Sequence, residues 1–311
     1  GKENPYWRNW ILHPTRDAYW ESACHLDKLA GARIPAFHQS GWFDGDGIGS
    51  KLNYLAMVSH GHPQQKLVLG PWGHTNVATR KLGDVDFGPK AIIDLQTAYL
   101  RWFDHYLKGV DNGIDREPLV SLFVMETNDW IHGNTYPLEG TRFDKWYLDS
   151  GGKANTSSGD GSFSRVEPGA DAPADHFVYD PADPTPAPNS FVEDESTKDL
   201  EGEEREAATK AYHGKVLERR TDILVYTSPP FAEPYTFAGP ISARLHAATS
   251  GKDTDWFVTL DEVTAQGEIH SLAHGRLRAR YRNGVRTTEL VAPDEVVEYE
   301  IDMWQTGVTM P

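Results

Sequence analysis

The spacing of apolar positions changes character part-way along the chain. In residues 17–30, Tyr19, Trp20, Ala23, Leu26 and Leu29 recur on a helical period and Gly31 follows as a stop, which predicts a helix. The short apolar run at 34–39 breaks at Ser40-Gly41 and reads as a buried strand feeding a loop. Leu52, Tyr54, Leu55, Met57 and Val58 predict a second helix over 50–60. Lys66-Leu67-Val68-Leu69 reads as a second buried strand, stopped by Gly70-Pro71, and an amphipathic helix follows over 91–107, closed by Gly109. Strands alternating with helices at this spacing imply a parallel sheet with crossover helices. From Leu119 onward the pattern shortens. Runs at 120–125, 145–148, 222–227, 241–247, 255–260, 275–281 and 296–301, many of them rich in Val, Ile and aromatics, alternate with Pro and Gly clusters. That is the signature of an antiparallel β-sandwich. A charged helical stretch near 203–211 and a soft Gly/Ser/Ala/Pro stretch over 150–188 interrupt it. The fold class expected is therefore α/β plus all-β, with a first domain over 1–115 and a second over 116–311.

Composition narrows the function classes. The 30 basic and 46 acidic residues leave a formal charge of −16, which repels nucleic acid and anionic membrane surfaces. No run of about 18 apolar residues is present, so no membrane-spanning helix is written in the chain. Cys24 is the sole cysteine, which excludes an intramolecular disulfide and a cysteine-ligated zinc site.

In an open α/β sheet, reactive groups sit on loops past the carboxyl ends of strands. Two segments qualify: Ser40-Gly41-Trp42-Phe43-Asp44-Gly45-Asp46-Gly47 and Gly70-Pro71-Trp72-Gly73-His74-Thr75-Asn76. Consecutive strands are often neighbours, which would let Asp44 and His74 converge. A carboxylate preceding a histidine is the chain order of the last two triad members in α/β-hydrolases. The carboxylate would hold one imidazole nitrogen while the other relays a nucleophile's proton. Any Asp and His on adjacent loops would satisfy this much.

Specific motifs add to it. Gly41-Trp42-Phe43-Asp44-Gly45 after Ile34-Pro35 resembles the acid segment of the cocaine esterase and X-Pro dipeptidyl-peptidase family, and Leu69-Gly70-Pro71-Trp72-Gly73-His74 resembles its histidine segment. Arg101-Trp102-Phe103-Asp104-His105-Tyr106-Leu107-Lys108-Gly109 is similar to the family's last helix. Phe123-Val124-Met125, Asn128, Trp130 and Pro137 resemble the entry to its jelly-roll domain. Tyr179-Asp180-Pro181, Asp183-Pro184, Thr254-Asp255-Trp256-Phe257 and Gly275-Arg276-Leu277-Arg278 continue the likeness. The resemblance implies half of an α/β-hydrolase sheet followed by a jelly roll. It also implies a serine hydrolase acting on small ester, amide or X-Pro peptide substrates without a cofactor. Asp44 and His74 would be catalytic, with Trp42, Asp46 and Trp72 at the substrate. Asp46 matches a position where the related α-amino acid ester hydrolases bind an amino group, although Gly47 stands where a further carboxylate is expected.

The family's serine, in a Gly-x-Ser-x-x-Gly turn well upstream of the acid, has no counterpart. Ser40 and Ser50 lie in Gln-Ser-Gly and Gly-Ser-Lys settings. The chain is thus expected to be the C-terminal portion of a longer hydrolase, also truncated near residue 311. The missing half would supply the serine, and the chain would be inactive as an esterase by itself. Other signals are weaker. Asp44-Gly45-Asp46-Gly47 opens like a calcium loop, but Ile48 occupies the third ligand position and no Glu closes it. His60 and His62 lack a third metal ligand at sensible spacing, so no metal is expected. His13 and Asp17 with Trp20 read as packing residues near a cap. The competing reading is a non-catalytic β-sandwich that binds a ligand or partner.

Overall fold

A computed structural model of the chain describes residues 4–83, 85–185, 204, 218–265, 267 and 269–310. The chain divides into two compact units, Gly1–Thr141 with Glu233–Pro311, and Arg142–Ala232.

The first unit opens with helices α1 (Pro5–Leu12) and α2 (Ala18–Glu21) and a 3₁₀ turn at Leu26–Gly31. The single helix expected over 17–30 is therefore broken. Asp17 caps α2 by accepting the Tyr19 N–H, the Trp20 indole donates to the His13 carbonyl, and Arg16 reaches Asp27. These contacts outweigh a helical propensity worth only tenths of a kcal/mol per residue.

Strand β1 (Ala36–Phe43), helix α3 (Ile48–Ser59) and strand β2 (Gln65–Gly73) follow. Two short strands, β3 (Lys81–Leu82) and β4 (Val85–Asp86), lead to helix α4 (Leu95–Lys108), and then come β5 (Val120–Val124) and β6 (Asp129–Gly133). A sheet in the order β1-β2-β5-β6 results, parallel from β1 through β5 and closed by the antiparallel β5–β6 hairpin. Phe37 meets Tyr99 and Trp102 of α4, whereas its neighbour His38 meets Tyr54 of α3. Successive strand residues point to opposite faces, so the two helices cover opposite sides of the sheet. Asp94 caps α4 through the Thr97 N–H, and Gly109 ends it at φ +73°, a conformation glycine adopts without penalty.

Both strands run further than their sequence suggested. β1 continues through Gly41-Trp42-Phe43, and β2 through Gly70-Pro71-Trp72-Gly73. The register passes from Gly41↔Gly70 to Phe43↔Gly73, so β2 carries one extra residue. That bulge accommodates Pro71, which lacks the N–H a regular central strand needs. Glycine is required here: a Cβ on Gly41 would lie 2.0 Å from the Trp72 carbonyl oxygen, and one on Gly70 2.4 Å from the Trp72 ring.

The remainder of this unit is all β among the described residues, apart from a 3₁₀ turn at Ala279–Tyr281. β7 (Tyr147–Asp149) and β8 (Ser162–Ser164) belong to the second unit. The first unit resumes with β9 (Tyr235–Ala247), β10 (Asp255–Val263), β11 (Ile269–Arg278) and β12 (Val297–Met310). β9 pairs antiparallel with β12, and β10 with β11. Where 296–301 was expected, β12 extends to Met310. Among the described residues, three cores hold the unit. Tyr54, Leu67, Leu69, Val120, Leu122 and Tyr136 pack beneath the parallel sheet. Phe87, Phe123, Met125, Leu272 and Val308 join that sheet to β11 and β12. Ala279, Val291, Tyr299 and Ile301 fill the β region.

In the second unit β7 pairs with β8. The strand expected at 222–227 is reduced to a single bridge between Ser162 and Thr227. Asp222 is instead held by Arg220 at 2.7 and 2.6 Å and by the Thr185 hydroxyl at 2.8 Å, and these contacts draw the local chain out of a regular ladder. The charged helical stretch expected over 203–211 lies, except for Glu204, outside the described residues.

Asp222 yields a pH prediction. The Arg220 hydrogen bonds, helped by Thr185, hold its carboxyl below the ordinary aspartate range. The unfolded chain therefore takes up this proton first as pH falls. The stabilisation is complete above the ordinary aspartate value and disappears as pH falls through the lower folded value. Urea midpoints of the wild type should decline on acidification below about pH 4, and Asp222→Asn should flatten that part of the curve. Identical slopes for the two chains would contradict this.

Candidate active site

β1 and β2 end side by side, and each delivers one reactive group at its carboxyl end. Asp44 follows β1 directly and His74 follows β2. The His74 Nδ1 lies 3.2 Å from Asp44 Oδ1. Asp44 is held on both oxygens: Oδ2 accepts the Ser40 hydroxyl at 2.9 Å, and Oδ1 also accepts the Asp46 backbone N–H at 3.0 Å. The loop is tight enough that a Cβ on Gly47 would lie 2.4 Å from Ser40 Oγ. A carboxylate fixed by several donors keeps one orientation, as the partner of an imidazole must. Asp44 is 14% exposed and His74 67% exposed, so the acid is sheltered while the imidazole is open. With Nδ1 turned to Asp44, Nε2 is the nitrogen left for a proton transfer.

The structure thus brings Asp44, His74 and Asp46 together. The Asp46 carboxylate is 3.5 Å from His74 Nδ1 and 84% exposed, at the open side of the pair. Asp44, Asp46 and His74 each place a ligand atom within 4.8 Å of the others, a spacing a cation can use. Asp44 Oδ1 faces the imidazole nitrogen, and the Ser40 hydroxyl and Asp46 N–H hold the carboxylate in that orientation.

The two tryptophans are placed differently. Trp72 is 1% exposed, donates its indole N–H to the Ala91 carbonyl at 3.0 Å, and packs near Trp130. Its ring belongs to the core. Trp42 is half-buried and donates to the Phe123 carbonyl at 2.9 Å. Its ring therefore also turns toward the body of the unit. Ser40 is the partner of Asp44 that sequence reasoning missed. Its hydroxyl reaches Asp44 from four residues upstream, and the only hint was a polar residue at the end of an apolar run. Ser50 donates to the Gln39 carbonyl. His60 bonds the Ala56 carbonyl and His62 the Leu29 carbonyl, so both rings serve the backbone. His13 binds Asp17 at 2.6 Å and stacks on Tyr19, which makes it a packing group within the α1–α2 segment.

A carboxylate and a histidine thus stand at adjacent parallel strand ends. Residues 112–311 match the family model of the X-Pro dipeptidyl-peptidase C-terminal non-catalytic domain, and residues 1–76 that of X-Pro dipeptidyl-peptidase of the S15 family. The chain belongs to the cocaine esterase and X-Pro dipeptidyl-peptidase (CocE/NonD) family of hydrolases. It is 33% identical over 306 residues to the cocaine esterase of Rhodococcus sp. (strain MB1 Bresler), an alignment covering 96% of this chain and 51% of that protein. Among solved structures it is similar to an aminopeptidase from a marine sediment Thaumarchaeota archaeon, with a TM-score of 0.76 at 26% identity, over 98% of this chain and 50% of the other. An α-amino acid ester hydrolase shares the fold with a TM-score of 0.75 at 23% identity, over 98% and 51%. The chain spans about half the length of the relatives it matches.

Proposed function

We propose that Asp44 and His74 are the acid and base of a serine hydrolase that cleaves ester or amide bonds, X-Pro peptide bonds among them, and that the nucleophilic serine lies outside these 311 residues. The observation that carries this reading is the 3.2 Å contact between Asp44 Oδ1 and His74 Nδ1 at the carboxyl ends of neighbouring parallel strands. In this reading His74 Nε2 accepts the serine proton as the hydroxyl oxygen attacks the substrate carbonyl. It then returns that proton to the leaving alcohol or amine as the bond to the acyl carbon breaks. Water, deprotonated by the same nitrogen, next attacks the acyl carbon, and Nε2 returns that proton to the serine oxygen as the acyl–serine bond breaks. Asp44 holds the ring and offsets the positive charge it gains. Asp46, exposed beside His74, would face a substrate amino group, and Trp42 with Trp72 would form the wall behind the site rather than its lining.

Several features support a serine from elsewhere. Ser40 and Ser50 are engaged at Asp44 and Gln39, away from a nucleophile's position. β1 is an edge of its sheet, and α1 exposes Tyr6, Trp7, Ile11 and Leu12. Edges and apolar faces of this kind ordinarily have partners. In the same reading the boundary near residue 115 separates the hydrolase portion from a jelly-roll sandwich built on the β9–β12 and β10–β11 ladders, which shapes and supports the site without joining the chemistry.

Fluorophosphonate labelling with intact-mass readout under denaturing conditions tests this. The expected result is an unlabelled 34.8 kDa chain that does not turn over 4-nitrophenyl acetate, with label and turnover appearing on a serine-bearing polypeptide when the two are combined. Label on this chain, or turnover by it alone, would overturn the placement of the serine.

A further inference from the structure

Residues 302–309 of β12 lie against the acid-bearing segment, and there β12 departs from regular geometry. Its register against β9 breaks between Asp302 and Gln305, and Trp304 takes φ +66°, unusual for a side-chain-bearing residue. Such bulges re-aim side chains and backbone groups. Several of the groups at this one are engaged. Lys51, buried on α3 a few residues after Asp44, places its Nζ 3.5 Å from the Asp302 carboxylate and 3.4 Å from the Trp304 carbonyl, and lies over the Trp304 ring at 4.7 Å. Gln305 Oε1 accepts the buried Tyr136 hydroxyl at 2.8 Å.

Beyond the bulge, β12 is fastened to the end of β5. The Met125 N–H donates to the Gly307 carbonyl at 2.8 Å, and the Thr309 N–H to the Met125 carbonyl at 3.1 Å. Gly307 then lies directly under Trp42, since a Cβ there would stand 2.4 Å from the Phe123 carbonyl oxygen and 2.8 Å from the Trp42 ring. That same Phe123 carbonyl accepts the Trp42 indole N–H. Trp42 precedes Asp44 by two residues and Lys51 follows it by seven, so β12 grips the chain on both sides of the acid.

Given Asp44 and His74 as the acid and base, we infer that the β12 bulge is a brace that sets the acid loop, with Lys51 as its positioning residue. A Lys ammonium on a flexible stem is suited to this, because it satisfies a carboxylate, a carbonyl and an aromatic face at once. Burial draws its pKa down, and the Asp302 carboxylate opposes that shift. Misplacement of a catalytic group by a fraction of an ångström is felt in turnover more than in substrate binding.

The first test needs no activity. In the 311-residue chain, hydrogen exchange of the Trp42 indole N–H is followed by NMR, with the buried Trp72 indole N–H as internal reference. Lys51→Met should speed exchange at Trp42 by about tenfold while Trp72 is unchanged, and Lys51→Arg should restore most of the protection. Asp302→Asn, a milder change, should show the same pattern more weakly and serves if Lys51→Met does not fold. Unchanged exchange at Trp42, or equal acceleration at both indoles, would overturn the brace. The second test uses the chain combined with the serine-bearing polypeptide. Lys51→Met should lower kcat about tenfold at unaltered KM, with recovery in Lys51→Arg. A rise in KM alone would refute positioning. Absence of turnover in the parent combination would instead count against the acid–base reading, and the exchange result would still decide the brace.

Discussion

Replacing His74 with alanine is expected to lower ester hydrolysis by the combined polypeptides by roughly 10⁶-fold, with substrate binding little changed. The size follows from the part the imidazole plays. Without it the serine hydroxyl has no base, and the leaving group has no acid. Asp44→Asn is expected to cost somewhat less, roughly 10⁴-fold, because the ring remains but is held in the wrong tautomer. The contact at 3.2 Å, and the two further donors on Asp44, tie the pair into one unit. The double variant should therefore be little worse than His74→Ala, since groups that act together are not additive. Steady-state kinetics with an activated ester measures all three. Additive losses in the double variant would mean the two residues serve separate purposes.

The second large effect falls on stability. Trp72→Ala is expected to destabilise the first unit by about 3–5 kcal/mol, the range for removing a buried large aromatic side chain. Trp72 is among the largest fully buried side chains, and its removal also leaves the Ala91 carbonyl without its donor. Gly41 and Gly70 lack side chains where this residue's carbonyl and ring pass, so neighbouring groups cannot readily collapse into the space. Urea denaturation should show a lower midpoint at similar slope. A small stability loss accompanied by a raised KM would instead place Trp72 at the substrate, as the motif resemblance had suggested.

Much of this architecture was legible in the chain. The change from helical to strand spacing near Leu119 reflects which faces must be buried, and periodicity records that directly. Gly109 marked the end of α4, whereas its start at Leu95, capped by Asp94, falls four residues after the position the periodicity gave. The local pattern only put an Asp and a His on adjacent loops, and it was the likeness of those two segments to the family's motifs that singled them out. Boundaries were less legible where distant groups intervene. Gly41 and Gly70-Pro71 read as strand breakers, yet the strands continue because Gly41 admits the β2 backbone and a bulge absorbs Pro71. The helix over 17–30 is divided by contacts from Arg16 and Trp20 that no local pattern encodes.

The sequence by itself determined the class of each region, the residues available for chemistry and their order along the chain, because these depend on composition and short-range period. Only the tertiary structure decided that Asp44 meets His74, that Ser40 orients the acid, that Trp72 turns inward, and that Lys51 reaches β12 across 251 positions of chain. Contacts of that separation depend on how sheets stack and where bulges fall, and these are settled by packing many side chains at once rather than by any one stretch of residues.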